Sequence, residues 1–451
     1  MAVNDSAPQT TNKPQFSSRL GFLLATIGSA VGIGNIWRFP FVVGSNGGGA
    51  FLIPYLIVVA LFAFPLFALE LSVGRASGRG VVGAFASLGR RWRNAGLLIV
   101  VVIGLVLSYY LVVTGWAFGY LVQGLGNSHP RFADYTASYN SLWWFLVVAA
   151  LTVFIVWRGV NKGIEAASKF LMPLMFAIMV ALAIYGVFLS GWGEAMSFYL
   201  SPRADSLGNP TVWARAIGQA FFSVGVGMGV MITYGAYMAK DTNIPRSSVV
   251  IVTADTAVAF LAGLVIFPIV FSFGGEPGTG PQLAFDTLPQ VFQQFGTVPG
   301  YIVALLFYLG LTAAALTSAV SLLETVVAGV VDRTGLKRVH ALGLVSAAVV
   351  LAGLPSALSY ARPGLSVFDT PVLDGMDTAL GTFGLAAGAL LTAAVFGWKG
   401  KTLVATVLDT GSRFGRLVML SVQWLVPAAI VGLLIAMGMD LILHRVIPEG
   451  G

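Results

Sequence analysis

The stretch GSAVGIGNIWRFP, residues 28–40, lies within an apolar segment long enough to cross a membrane, yet it contains three glycines, an asparagine, an arginine and a proline. A glycine in a helix interior costs about 1 kcal/mol relative to alanine, and polar side chains inside a membrane are costly and usually functional. The stretch therefore predicts a transmembrane helix that is interrupted, with the interruption available for binding.

The composition of the chain indicates an integral membrane protein. Of its 451 residues, 57% are hydrophobic and 10% are charged, and the mean hydropathy is +0.87, whereas soluble domains carry about 25% charged residues. The chain contains no cysteine, which excludes disulfides and thiolate metal sites. Its net charge of +7 does not indicate nucleic-acid binding, because no basic patch is interleaved with exposed aromatic residues.

Hydropathy windows of about 20 residues predict an all-α protein with eleven transmembrane helices. Their approximate limits are 18–44, 49–74, 94–125, 141–157, 164–189, 211–239, 246–274, 299–331, 337–354, 374–398 and 416–444. Two connections are long, 126–140 and 275–298. The second has amphipathic character and predicts a short helix over one mouth of the bundle.

The lysine and arginine residues predict the orientation of the chain. Nineteen of the 25 fall in the N-terminal segment or in alternate loops, which the positive-inside rule assigns to the cytoplasm. We therefore expect residues 1–17 to form a cytoplasmic tail of a multi-pass protein of the cell membrane. With an odd number of spans, the C-terminus is expected outside.

The sixth span repeats the peculiarity of the first. Its stretch FFSVGVGMGVMITY, residues 221–234, places Gly225, Gly227 and Gly229 at mid-membrane. Close helix packing through small residues is an alternative explanation for each cluster taken singly. Two broken helices that lie five spans apart, however, are typical of transporters built from inverted repeats. Since a repeat of five helices has an odd number of spans, the second repeat enters the membrane from the opposite side.

This pattern predicts a single transporter domain. We expect a first five-helix repeat at 18–190, an inverted second repeat at 211–398 and an additional helix at 415–445. An unwound stretch frees amide and carbonyl groups that lipid cannot satisfy, so bound ions and a charged substrate are expected at the two breaks.

Several motifs resemble those of the neurotransmitter:sodium symporter family. The quoted stretch 28–40 is followed by NGGGAFLIPY (46–55), ELSVGR (70–75), YY (109–110), GQAFFSVGVGMG (218–229), DTAVAFLAGLVIFP (255–268), LTSAVSLLE (316–324) and LDGMDTALGTFG (373–384). They occur in the family's order over spans one to ten. The resemblance implies a LeuT-like fold with a 5+5 inverted repeat, discontinuous helices 1 and 6, and the eleven spans of some bacterial members.

The resemblance also implies two sodium ions, each held by hard oxygen donors. The first ion would lie beside the substrate carboxylate, with ligands from Ala30, Asn35, Ser223 and Asp255. The second would use the carbonyl oxygens of Gly28, Val31 and Ala314 and the hydroxyls of Thr317 and Ser318. Without the resemblance the two hydroxyls would be a weak signal, since such groups often bond their own helix.

Asp255 predicts independence from chloride. Many animal members of the family have Asn at the matching position and bind chloride nearby, with a Ser ligand where this chain has Ala259. A carboxylate at this position can offset the sodium charge directly. Whether Asp255 also takes up a proton during the return step is left open by the sequence.

The substrate is expected to be a hydrophobic L-amino acid, either large aliphatic or aromatic. Amine transporters of the family have an Asp in the first broken helix, and Gly32 matches it. The resemblance implies that the substrate contacts Ala30, Gly32, Ile33, Gly34, Val106, Tyr110, Phe222, Ser223, Gly225, Met228, Ser318, Ser321 and Leu322. Most of the side-chain pocket is apolar, which favours an apolar side chain.

The resemblance implies two gates and one structural carboxylate. An outer gate would comprise Arg38, Asp377 and the lid residue Phe222, and an inner gate Lys13, Asp332 and Tyr237. Arg38 could instead extend to the outer interface, as long basic side chains do. Glu70 is expected to accept hydrogen bonds from backbone freed at the second break.

An enzyme is not expected, and no catalytic residue is assigned. The chain has three histidines, at 129, 340 and 444, each near a membrane edge, and it lacks HExxH, Walker A and nucleophile-elbow motifs. Two alternatives remain open. The chain could be a transporter of the same fold that is coupled to protons or carries another small amine or osmolyte, or it could be an amino-acid sensor that does not transport. The oligomeric state is not predicted.

Overall fold

The computed structural model describes residues 14–126, 130–201, 207–275, 283–294 and 296–446. Within these ranges the chain is almost entirely helical. The α-helices are α1 (Arg19–Ala30), α2 (Phe39–Ser45), α3 (Gly49–Val58), α4 (Phe64–Ser77), α5 (Val81–Ala86), α6 (Arg93–Leu125), α7 (Phe132–Ala137), α8 (Asn140–Trp157), α9 (Ala166–Val187), α10 (Trp192–Leu200), α11 (Pro210–Val224), α12 (Val230–Tyr237), α13 (Ile244–Ser272), α14 (Leu288–Gln294), α15 (Thr297–Thr334), α16 (Arg338–Ala357), α17 (Val372–Met376), α18 (Leu385–Ala394), α19 (Lys401–Val404), α20 (Arg413–Leu420) and α21 (Val426–Val446).

Short π-helical turns join several of these helices into longer rods. They are Gly34–Arg38, Val59–Ala63, Val160–Glu165, Leu283–Thr287, Asp377–Gly384, Val395–Lys399 and Ser421–Leu425. The described residues also include one antiparallel pair of two-residue strands, β1 (Ser366–Val367) and β2 (Thr370–Pro371). This small hairpin was not predicted, and the fold is otherwise all-α as expected.

In the described part of the chain, nine helices are long and apolar enough to cross a membrane, and the count is ten if Arg19–Ala30 and Gly34–Ser45, bent by 50°, are taken together as one span. The predicted span 211–239 corresponds to α11 and α12, which have 15 and 8 residues. The count of eleven spans depends on taking this pair as one broken helix. The repeat limits 18–190 and 211–398 stay a prediction.

The first break follows α1. Val31, after the last helical residue, has an extended backbone (φ −70°, ψ 109°), and the chain bends before helical structure resumes. Val31 and Gly32 are buried, so the polar groups of this backbone are removed from water. Lipid could not hydrogen-bond to them, which leaves neighbouring protein groups or bound ligands as partners.

The second break separates α11 from α12. Gly225, Gly227 and Gly229 have φ values of +72°, +82° and +65°, a left-handed conformation that glycine adopts without the steric cost of a Cβ. A Cβ on Gly227 would lie 2.7 Å from the Cβ of Ala389 in α18. The left-handed backbone therefore favours glycine at all three positions, and the close contact with Ala389 also requires glycine at position 227.

The two breaks lie side by side in the core of the bundle. A Cβ on Gly225 would lie 4.0 Å from the Cα of Ala30. Helix α1 packs against α9, α13 and α15, whereas α12 packs chiefly against α4. Free backbone groups from both interrupted helices therefore face one region, which α6 and α15 help to enclose.

The connection predicted at 275–298 contains helical structure at 283–294, and residues 276–282 and 295 lie outside the described part. Its buried Phe285 packs against Trp37 with a ring-centroid distance of 5.8 Å. Tyr120 donates a hydrogen bond to the Phe285 carbonyl (2.9 Å), and Tyr308 donates to Ala284 O (2.8 Å). This segment is thus anchored over the side of the bundle where Trp37 lies.

Candidate functional site at the two helix breaks

A cavity of about 30 Å³ lies between the two breaks. Its lining consists of Ser29, Ala30, Gly32, Gly34, Asn35, Val106, Tyr110, Phe222, Gly225, Met228, Val230, Ser318 and Leu322. Ten of the thirteen predicted substrate residues are in this lining. The exceptions are Ile33, which lines a neighbouring outer cavity, and Ser223 and Ser321.

Ser321 lies outside the cavity lining because its hydroxyl is engaged elsewhere. It accepts a hydrogen bond from Tyr234 in α12 (2.8 Å) and donates one to Thr317 O in its own helix (2.8 Å). The prediction had placed it in the substrate pocket. Ser29 and Val230 line the cavity although the sequence reasoning did not name them, and Ser29 could have been found because it lies within the quoted stretch 28–40.

A side chain at position 32 would require Tyr110 or Ser318 to move. A Cβ at this position would lie 2.8 Å from the Tyr110 hydroxyl and 2.8 Å from Ser318 Oγ, and real Cβ atoms do not approach neighbours that closely. The next residue, Ile33, donates its amide N–H to the Tyr110 hydroxyl (3.3 Å). The first break therefore presents amide and phenol groups to the cavity and cannot present an acidic side chain at position 32.

The residues predicted for the second sodium site are brought together. Ser318 Oγ lies 3.2 Å from each of three carbonyl oxygens, those of Gly28, Ser29 and Val31. Thr317 Oγ1 lies 3.0 Å from Ala314 O. A hydroxyl has one hydrogen to donate, so it can satisfy one of the three carbonyls at a time. The carbonyl oxygens that receive no hydrogen from this hydroxyl keep their lone pairs, and oxygen atoms of this kind are the ligands that a hard cation prefers.

The residues predicted for the first sodium site form a buried polar cluster. Asn35 Nδ2 lies 2.7 Å from Asp255 Oδ1 and 2.9 Å from Ser223 Oγ, and the Ser223 hydroxyl donates to Asp255 Oδ2 (2.9 Å). All three side chains are fully buried. Ala30, the fourth predicted ligand, lines the adjacent cavity. A carboxylate, an amide and a hydroxyl thus converge where the two breaks meet.

Two further polar residues surround this cluster. The Tyr55 hydroxyl lies 3.5 Å from Ser223 Oγ, and Gln219 donates to Gly34 O (3.1 Å). Ala259 is also fully buried. Asp255 is thus the acidic residue of this buried cluster.

The outer gate residues surround a second cavity of about 140 Å³, whose lining includes Arg38, Phe222, Asp377, Trp37 and Asp374. The Arg38 guanidinium carbon lies 4.5 Å from the ring centroid of Phe222. Asp377 Oδ1 accepts a hydrogen bond from Tyr109 (3.0 Å). Arg38 and Asp377, both predicted for the outer gate, thus face one cavity, and in the described structure each contacts a different aromatic residue.

Two of the three residues predicted for the inner gate lie in the described part of the chain, so the composition of this gate stays a prediction. Lys13 lies outside the described part of the chain. Asp332 Oδ2 accepts a hydrogen bond from Gly83 N (3.1 Å), and the Tyr237 hydroxyl donates to Glu324 Oε1 (2.9 Å).

Glu324 also forms a short ion pair with Arg338, with 2.5 Å between Oε2 and Nη2. The sequence reasoning did not name this pair, in which Glu324 is buried and Arg338 is half-buried. Glu324 could have been found, because it is an acid inside span eight and ends the motif LTSAVSLLE.

Two other buried carboxylates hold backbone in place. Glu70 Oε1 accepts a hydrogen bond from the Gly227 amide (2.8 Å), which the second break has freed. Glu165 accepts from Ser17 N (2.7 Å), Ser17 Oγ (2.6 Å) and Ser18 Oγ (2.8 Å), and it pairs with Lys169 (2.7 Å). Glu165, which the sequence reasoning missed, therefore fixes the start of α1 to the turn that precedes α9.

Comparison with known proteins gives consistent results. The family model described as the sodium:neurotransmitter symporter family matches residues 13–141 and 134–442. An uncharacterized sodium-dependent transporter of Bacillus subtilis, YhdH, is 37% identical over 92% of this chain and 96% of its own length. A second uncharacterized sodium-dependent transporter, from Haemophilus influenzae, is 30% identical over 82% of this chain and 87% of its own.

A solved structure shares the fold. The crystal structure of MhsT in complex with L-phenylalanine superposes with a TM-score of 0.86 at 39% sequence identity, and the match covers 94% of this chain and 99% of that one. The match confirms the predicted LeuT-like helical architecture, and the family is one of transporters and not of enzymes. The chain is a sodium-dependent membrane transporter that belongs to the sodium:neurotransmitter symporter family.

Proposed function

We propose that this protein imports a hydrophobic L-amino acid together with two sodium ions, without a requirement for chloride, by alternating access across the cell membrane. The observation that carries the proposal is the convergence of three carbonyl oxygens on Ser318 Oγ, each at 3.2 Å, directly beside the cavity between the breaks. An uncoupled channel would have no use for a cation site built into the wall of a substrate site.

An α-amino acid is favoured over a monoamine by the chemistry at Gly32. Glycine has no side chain, so the chain places no carboxylate opposite a substrate ammonium at this position. The ammonium would bind carbonyl oxygens of the breaks. The substrate carboxylate would accept hydrogen bonds from the Ile33 amide and Tyr110 hydroxyl, which already face each other at 3.3 Å.

An apolar substrate side chain is favoured by the rest of the lining. Val106, Phe222, Met228 and Leu322 contribute apolar surface, and pockets of this composition bind apolar groups. Met228 is unbranched and flexible, so it can move aside for a large substrate. The related MhsT was solved with L-phenylalanine, which supports an aromatic or large aliphatic amino acid here.

Two sodium ions supply enough driving force for concentrative uptake. One charge crossing 100 mV contributes about 2.3 kcal/mol, and a tenfold concentration gradient adds roughly 1.4 kcal/mol. Two ions then provide about 7.4 kcal/mol. A neutral zwitterion could be accumulated on the order of 10⁵-fold under tight coupling.

Uptake into proteoliposomes tests this proposal. The purified protein should accumulate labelled phenylalanine, tryptophan or leucine when sodium is present outside, and gluconate should replace chloride without loss. A panel of unlabelled competitors ranks the substrates. Uptake that a pH gradient drives in sodium-free medium would support a proton-coupled transporter instead. Binding without any uptake would support a sensor.

A further inference from the structure

A basic cavity lies on the side of the bundle that the lysine and arginine distribution assigns to the cytoplasm. Its volume is about 420 Å³. Three cationic side chains from three elements line it: Arg158 after α8, Lys162 in the π turn Val160–Glu165, and Arg338 at the start of α16. Among the described residues, no carboxylate contributes to the lining. Three like charges around one cavity repel each other, and an anion between them removes this repulsion.

The cations of this cavity retain donors for such an anion. Arg338 uses Nη2 for both of its described hydrogen bonds, to Val156 O (2.9 Å) and to Glu324 Oε2 (2.5 Å). A guanidinium has five N–H donors, so most of them are left for another acceptor. Arg158 lies over the ring of Phe154, 5.9 Å from its centroid, and both Arg158 and Lys162 are exposed.

The surroundings of the cavity indicate that it opens at the level of lipid headgroups. Phe154 and Trp157, on the last turn of α8, are 49% and 58% exposed. Exposed aromatic residues of this kind collect at the interface between membrane and water. Cytoplasmic leaflets carry anionic lipids, and basic pockets between transmembrane helices on that side bind their headgroups.

We propose that this cavity binds the phosphate of an anionic lipid headgroup through Arg158, Lys162 and Arg338. The bound phosphate would hold Arg338 in its present position. Because Arg338 pairs with Glu324, and Glu324 accepts a hydrogen bond from Tyr237 (2.9 Å), the lipid would stabilise the contacts that join α16, α15 and α12. The proposal depends on the predicted orientation of the chain, and it is independent of the substrate and of sodium coupling.

Native mass spectrometry of the purified full chain tests the site. The protein is reconstituted in nanodiscs of phosphatidylcholine with a fixed fraction of phosphatidylglycerol. The measurement is the amount of phosphatidylglycerol that stays bound to the protein after the protein is released from the nanodisc. The double variant Arg158→Gln/Lys162→Gln should weaken retention roughly thirtyfold, and Lys162→Gln alone roughly fivefold. The matched control Arg90→Gln/Lys401→Gln removes the same charges from exposed positions outside the cavity and should retain the lipid like the unmodified chain.

Three results would overturn the proposal. Equal retention by the unmodified protein and the cavity variant would show that the lipid binds elsewhere. Equal loss in the cavity and control variants would show that only net charge matters. Displacement of the lipid by an equal concentration of sn-glycerol 3-phosphate would identify the ligand as a soluble phosphate. The single variant Lys162→Gln, at an exposed side chain, keeps the test valid if the double variant folds poorly.

Discussion

Asn35 Nδ2 and Asp255 Oδ1 lie 2.7 Å apart in the fully buried centre of the protein, although 220 positions separate the two residues in the sequence. Ser223, near the end of α11, donates to the same carboxylate (2.9 Å). Asn35 belongs to the turn after the first break, and Ser223 precedes the second. The Asp255 carboxylate therefore joins both broken helices to α13, and any relative movement of the two breaks must rearrange these bonds.

Replacing Asp255 by Asn tests the role of this carboxylate in charge balance. Without this negative charge, the protein itself supplies no counter-charge for the proposed first sodium ion and leaves only the substrate carboxylate, which is costly in a medium of low dielectric constant. We expect uptake in chloride-free medium to fall at least tenfold, with partial recovery when chloride is added. Labelled amino-acid uptake in gluconate and in chloride buffers measures the change.

The surface variant Asp134→Asn serves as the control, because Asp134 is exposed in α7. It should behave like the unmodified protein in both buffers. If the Asp255→Asn variant stays independent of chloride and keeps its sodium dependence, the charge-balance explanation is wrong.

A methyl group at position 32 should abolish substrate binding. The Cβ of Gly32→Ala would lie 2.8 Å from Tyr110 OH and Ser318 Oγ, so one of these groups must move away from the cavity. We expect the substrate affinity to fall at least a hundredfold. Equilibrium binding of labelled substrate to the purified variant measures this, and size-exclusion chromatography checks that it is folded.

Gly193→Ala is the matched substitution, since a Cβ on Gly193 in α10 has no neighbour within 4 Å. Its affinity should equal that of the unmodified chain. Wild-type affinity in the Gly32→Ala variant would place the substrate away from the first break.

Ser318→Ala should weaken sodium activation. The variant removes the hydroxyl on which the carbonyls of Gly28, Ser29 and Val31 converge, and the loss of one such contact is worth about 1–2 kcal/mol. The sodium concentration for half-maximal uptake is therefore expected to rise roughly tenfold. In the same helix, Thr334→Ala removes an exposed hydroxyl that contacts only the backbone of Val330 and Leu336, away from the cavity, and should not change the sodium response. An unaltered sodium response in Ser318→Ala would contradict the proposed second site.

Glu165→Gln should loosen the start of α1 and raise the fraction of molecules whose inner side is open. The carboxylate accepts three hydrogen bonds from Ser17 and Ser18 and pairs with Lys169, whereas an amide replaces one acceptor oxygen by a donor. The chain has no cysteine, so Thr325→Cys, at a buried position in α15, introduces a unique label. We expect thiol labelling in sodium-free buffer to accelerate at least threefold.

Glu194→Gln, at an exposed acid of α10, controls for the change of charge and should leave the labelling rate as it was. Equal labelling rates in the Glu165→Gln and Glu194→Gln backgrounds would mean that Glu165 does not restrain α1.

The sequence predicted most of the long helices because hydropathy is a local signal. Long apolar segments define the spans, and the glycines at 225, 227 and 229 are required by the backbone wherever the chain turns left-handed. The short helices α5 and α10 were missed, since neither is long or apolar enough to stand out in a window of about 20 residues.

Long-range side-chain contacts could not be predicted from the residues alone. Glu165 meets Ser17 across 148 positions, and no local pattern links them. Ser321 was expected in the substrate pocket, but the rotation of α15 turns its hydroxyl toward Tyr234. Such outcomes depend on how helices rotate against one another, which hydropathy does not report.

The coupling ratio tests the central claim of sodium-driven transport most directly. In proteoliposomes clamped at zero membrane potential, the substrate ratio at which net flux stops is measured against the sodium ratio. Coupling to two ions predicts that a tenfold inward sodium gradient sustains about a hundredfold accumulation of the amino acid. Accumulation of about tenfold would contradict the second ion, and a stopping ratio that does not respond to sodium would contradict sodium coupling itself.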